Sequence, residues 1–65
     1  MWLHQNDRSI PVLQSGERQI KVNDVGTVPS GDGVVEVIVD GRSHCRDVKV
    51  LGPVPGTNWL SIVDR

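Results

Sequence analysis

The dipeptide Asp40-Gly41 constrains this chain more than any other feature, because of what stands on either side of it. Before it, Val34–Val39 reads VVEVIV, almost wholly β-branched. Such side chains are stiff at χ1 and pack well on a pleated, half-buried surface. Asp-Gly is a strong hairpin signal, since the tight turn needs positive φ, which glycine adopts without a Cβ clash. Beyond the turn, Val48, Val50 and Leu51 resume an apolar pattern, and Gly52-Pro53 ends it. One long hairpin over Val34–Leu51 is therefore predicted at the centre of the fold.

Its register decides which side chains share a face, because a slip of one residue moves all of them to the other side. With Asp40-Gly41 as a two-residue type I′ loop, Val39 faces Arg42, Val37 faces His44 and Val35 faces Arg46. Val48 and Val50 then share the face of Val35, Val37 and Val39. With Val39-Asp40-Gly41 as a three-residue loop, Val35 pairs with Cys45 and Val37 with Ser43. That choice leaves Val48 and Val50 out of phase unless a bulge falls near Arg46-Asp47. The first register is preferred because it needs no bulge.

The rest of the chain reads as further short strands. Met1–Gln5 alternates, with Trp2 and His4 on one side and Leu3 on the other. A polar break over 6–9 leads to a second short strand at Ile10–Leu13, where Pro11 points to an edge or a strand start. Gln14–Glu17 has the composition of a turn. Arg18–Val22 sets Ile20 and Val22 against Gln19 and Lys21, the alternation of a sheet with one wet side. Pro29–Gly33 is expected as a loop, and Gly52–Gly56 as a reversal stiffened by two prolines. A last strand over Thr57–Val63 has apolar residues on both sides, so it is expected to be covered on two faces or to close against another chain.

No segment carries a helical repeat. Turn signals recur at roughly eight- to twelve-residue intervals, the spacing of a small barrel or sandwich. The expected class is all-β: a five- or six-stranded small barrel or twisted antiparallel sheet. This general pattern resembles that of small SH3-like barrels, including Tudor and KOW-type modules, with Gly31–Val35 echoing a KOW loop. The aromatic cage of Tudor modules has no counterpart here, and no functional residue carries over from the resemblance.

Sixty-five residues are read as one domain, and a chain of this length buries only about 60% of its unfolded surface. Small chains often add disulfides, a metal or a partner. One cysteine and two histidines leave almost no room for the first two, and no zinc spacing is present. No cofactor or metal is expected, and a protein partner or self-association gains weight as a source of stability. A net charge of −1 creates no field strong enough by itself to recruit nucleic acid. No apolar run is long enough to span a bilayer, and the lone cysteine suits a reducing compartment, so a cytoplasmic location is the expectation.

Candidate site residues are few. Arg42, His44 and Arg46 alternate along one strand and so form a cationic row, able to meet phosphate, an acidic peptide or a carboxylate. The plainer account is a hairpin tip kept soluble by charge, with Glu36 or Asp47 as neutralising partner. Cys45 beside His44 invites a nucleophile reading, but adjacent strand residues point to opposite faces, and a buried or half-buried cysteine is expected. Gly31-Asp32-Gly33 fails as a phosphate cradle because a strand follows it, where a helix start is needed. Trp59 is expected in the core, and Trp2 is open between core and interface anchor. Function is expected to be non-catalytic protein binding or assembly. The alternative is nucleic-acid binding through the basic row.

Overall fold

A computed structural model describes all residues from Met1 to Arg65. Seven strands follow one another: β1 (Trp2–Gln5), β2 (Arg8–Pro11), β3 (Gln14–Ser15), β4 (Gln19–Lys21), β5 (Gly31–Val39), β6 (Arg42–Pro53) and β7 (Trp59–Asp64). A single 3-10 turn, Val25–Thr27, lies between β4 and β5, with the Asp24 carboxylate accepting from the Gly26 N–H. All the strands belong to one antiparallel sheet in the order β2-β1-β5-β6-β7-β4-β3.

The central hairpin takes the first of the two registers. Val39 stands opposite Arg42, Val37 opposite His44 and Val35 opposite Arg46. Asp40 and Gly41 both hold positive φ, 51° and 77°, the requirement of a type I′ loop whose twist matches the flanking strands. The hairpin is longer than expected. Gly31-Asp32-Gly33 pairs with Val48–Val50, so that part of the expected loop is strand. On the other side β6 runs on to Pro53, with a register shift between Val50 and Gly52 that bends it into β7.

Other boundaries moved as well, and the strand count is seven, above the five or six expected. Gln14–Ser15, expected as turn, pairs with Ile20 and Lys21. The second strand falls at Arg8–Pro11, two residues earlier than its pattern implied, because Ile10 must stand opposite Leu3. The sheet is open, yet its two edge strands are consecutive in the chain. Between the last residue of β2 and the first of β3 lie only Val12 and Leu13. The Val12 N–H donates to the Met1 carbonyl on one side, and the Leu13 N–H to the Lys21 carbonyl on the other. One continuous segment thus touches both ends of the sheet, which forces strong curling.

Curling explains the core. No second layer covers the sheet, but Leu3, Val35, Val48, Val50, Ile20, Leu60 and Ile62 are at most 2% exposed. They bury one another across the concave face, together with Ile10, Val12, Val22 and Val28. Gly33 is buried against β1. A Cβ there would lie 3.0 Å from Leu3 Cδ1 and from Gln5 Cγ, and 3.2 Å from the His4 carbonyl oxygen. Gln5 is the one buried polar side chain, and its Nε2 donates to the Pro29 carbonyl at 2.9 Å.

Strand β7 is covered on one face only. Leu60 and Ile62 are buried, whereas Val63 is exposed and Trp59 half-buried on the convex face. The expectation of a core Trp59 is corrected, and of the two accounts of the last strand the one with both faces covered within the chain does not hold. Apolar residues at 59 and 63 make burial of that face possible, but the sheet has only one interior.

Candidate functional site

The β5–β6 hairpin outruns its neighbours. Strand β1 flanks β5 only at Val34–Glu36, and β7 flanks β6 only from Val48 onward. From Val37 through Asp47 the hairpin therefore lacks strand neighbours on its outer edges. The molecule measures 34 × 21 × 19 Å along its principal axes. Ile38 and Val39 are 61% and 49% exposed at its tip, on opposite faces.

Arg42, His44 and Arg46 share the concave-side face of this ribbon, as alternation requires. Arg42 and His44 are exposed, and neither belongs to an ion pair. Arg46 is half-buried and already occupied. Its Nη2 donates to the Gly16 carbonyl at 3.3 Å, and its Nε lies 3.2 Å from Asp64 Oδ1. That second contact is an ion pair by distance whose N–H is not aligned on the oxygen. The neutralising partner is thus Asp64, and the expected pairing with Glu36 or Asp47 is corrected, since both stand on the opposite face.

That opposite, convex face carries a polar ladder that crosses four strands. Ser9 of β2 meets His4 Nδ1 at 2.9 Å, and His4 Nε2 meets Glu36 Oε1 of β5 at 2.8 Å. Ser43 of β6 donates to the other oxygen of Glu36. The Ser43 hydroxyl, followed by the His4 ring, holds the Glu36 carboxyl below its ordinary pKa, against a small opposing effect of burial. The register makes the ladder: Ser9 stands opposite His4, and Glu36 opposite Cys45, beside Ser43. Sequence reading missed it because its members come from three separate stretches of chain.

Cys45 is exposed on this same convex face, 3.9 Å from the Ser43 hydroxyl, so the expectation of a buried thiol is corrected. His44 lies on the other face, as alternation predicts. Trp2 is 40% exposed and stands opposite Glu36, which makes it a diagonal neighbour of Ile38 on the convex side. Trp59, in β7 next to β6, stands opposite Lys21 of β4. Of the sequence-predicted site residues, the structure groups Arg42, His44 and Arg46 on one face and sets both tryptophans on the other.

The surface has two concavities. A depression of about 210 Å³ at the foot of the ribbon is lined by Ser15, Val35, Val37, His44, Cys45 and Arg46. This is below the roughly 300–1,000 Å³ of ordinary small-molecule sites. A wider one of about 570 Å³ is lined by Glu17, Arg18, Arg46, Val63 and Asp64, with a single apolar residue among charges of both signs. No group of three or more histidine, cysteine or acidic residues is placed to hold a metal ion. No helix is long and apolar enough to cross a membrane. No protein-family model matches the chain, and neither a curated protein nor a solved structure is significantly similar to it.

Proposed function

We propose that this chain is a non-catalytic protein-binding or assembly module that works through its projecting hairpin. One observation carries the reading: Val37–Asp47 forms a two-stranded ribbon with exposed apolar residues on both faces and no strand on either edge. An isolated two-stranded ribbon is marginal in water, and a partner strand or surface would remove that weakness. Trp2, exposed beside Ile38, supplies an aromatic side chain of the kind that anchors interfaces. The general architecture is read as SH3-like, a curled sheet drawn toward a small barrel, and the Val12-Leu13 pivot between the two edges supports that reading. The module is read as cytoplasmic, on the sequence argument from its lone cysteine alone.

Sedimentation across a concentration series, combined with acrylamide quenching of tryptophan fluorescence, tests the binding reading. Free access of quencher to Trp2 is expected. A monomer at every concentration with both tryptophans shielded would remove the surface on which the proposal rests.

A second reading has one specific observation in its favour. Arg42 and His44 are exposed on one face without ion-pair partners, so they could meet nucleic-acid phosphate. Both tryptophans lie on the other face, away from any base that phosphate contact would position. This reading expects affinity for oligonucleotides that falls steeply with salt.

A further inference from the structure

We infer that the free edge of β6, Arg42–Arg46, takes an extended acidic segment of a partner protein as an added antiparallel strand. In that strand two carboxylates, two residues apart, face Arg42 and His44. The inference rests on the binding-module reading above and names the chemistry of its partner.

Backbone phase comes first. In a type I′ hairpin the residues that close the loop, here Val39 and Arg42, exchange main-chain hydrogen bonds, and the pattern alternates from there. Ser43, Cys45 and Asp47 therefore aim their N–H and C=O groups away from β5. The Asp47 carbonyl shows this directly, since it accepts the N–H of Arg65 at the end of β7, 3.2 Å away. Beyond that contact β7 stops, and no strand pairs with Ser43 or Cys45. An added strand would continue the line of β7 and find four main-chain groups waiting. The other edge of the ribbon offers far less: Val34 and Glu36 are covered by β1, which leaves the outward groups of Ile38 alone.

Charge selects the occupant. Alternate residues on neighbouring strands keep the same spacing, roughly 6.6 Å, so side chains at every second position of the incoming strand come level with Arg42, His44 and Arg46. Arg42 and His44 have no acidic partner of their own, whereas Arg46 has Asp64. Carboxylates are therefore wanted opposite the first two positions and not the third. Beside Arg46 lies the 210 Å³ depression, with Val35 and Val37 in its wall, which has room for one small apolar side chain. A second copy of this chain fits poorly. Two β6 edges paired antiparallel about His44 would set each Arg42 against an Arg46, and like charges directly opposite are destabilising.

The test uses the full chain, labelled with nitrogen-15, and two hexapeptides built on threonine and amidated at the C-terminus. One has valine at its first position and glutamate at its third and fifth, so that it stops short of Arg65, which stands opposite Asp47. The other has lysine in place of both glutamates. Only the glutamate peptide is expected to bind, and at peptide about ten times above Kd the amides of Ser43 and Cys45 should exchange roughly tenfold more slowly. The Arg42→Glu variant, at an exposed tip position, should reverse the preference toward the lysine peptide.

Binding of the glutamate peptide without slowed exchange at Ser43 and Cys45 would be ion pairing alone and would overturn the added strand. Equal binding of both peptides would overturn the charge argument. No binding of either at millimolar peptide, with concentration-dependent dimerisation through the ribbon, would overturn this inference and leave the module reading standing. No peptide binding and no dimer, with salt-sensitive affinity for oligonucleotides, would overturn both.

Discussion

Replacing Gly33 with alanine sets two effects of opposite sign against each other. Gly33 does not hold a positive φ, so its backbone is open to alanine, and losing a glycine from the unfolded chain should stabilise by about 0.4–1 kcal/mol. Against this, the new Cβ would sit 3.0 Å from Leu3 Cδ1 and Gln5 Cγ and 3.2 Å from the His4 carbonyl oxygen. None of these can step aside cheaply. Leu3 is 0% and Gln5 3% exposed, and the third atom is the main chain of β1. Overpacking of this kind costs about 1–3 kcal/mol, so the steric effect should win by about 1–2 kcal/mol. For a domain of this size that corresponds to a fall in Tm of roughly 4–16 °C. Urea unfolding followed by tryptophan fluorescence should show a lower midpoint at unchanged slope. Coupling to Leu3→Val, which removes the Cδ1 atom, should recover part of the loss, so that the double variant is more stable than the sum of the singles. Equal or higher stability of Gly33→Ala would mean that β1 does not approach β5 closely enough to exclude a Cβ at Gly33.

Two other perturbations read different parts of the structure. At Gly41 the left-handed φ of 77° is the whole issue, since a Cβ would meet nothing within 4 Å. Gly41→Ala should cost about 1–2 kcal/mol in thermal unfolding, and no loss would mean that the loop is not type I′. At Glu36 the folded carboxyl binds its proton less tightly than the unfolded one, because Ser43 and His4 hydrogen-bond the charged form. Its contribution is therefore fully present above the ordinary carboxylate pKa and lost as pH falls through the lowered folded value. Glu36→Gln should flatten the acid limb of a stability–pH curve, and an unchanged limb would show that the convex ladder does not contribute.

The hairpin was legible because its determinants are local. Asp40-Gly41 sets the loop, the loop sets the register, and period-two alternation then assigns faces to Arg42, His44 and Arg46 without reference to the rest of the chain. Gln14–Ser15 was not legible as a strand, since two polar residues are strand only because Ile20 and Lys21 happen to lie beside them. Cys45 and Trp59 were misplaced for a related reason. Small or apolar character marks a residue as able to be buried, while the curl of one sheet decides which face becomes interior. The Ser9–His4–Glu36–Ser43 ladder joins residues up to 39 positions apart in the chain and leaves no pattern in any one window.

By itself, then, the sequence determined an all-β chain with a long central hairpin in a defined register, because turn dihedrals and side-chain alternation are properties of neighbouring residues. Tertiary structure alone decided strand order, the concave face as the only interior, the burial of Gly33 against β1, and the overhang that leaves the edge of β6 free. Those depend on which distant strands come to lie side by side, a choice made by the packing of Leu3, Ile20, Val35, Leu60 and Ile62 against one another and readable in none of them singly.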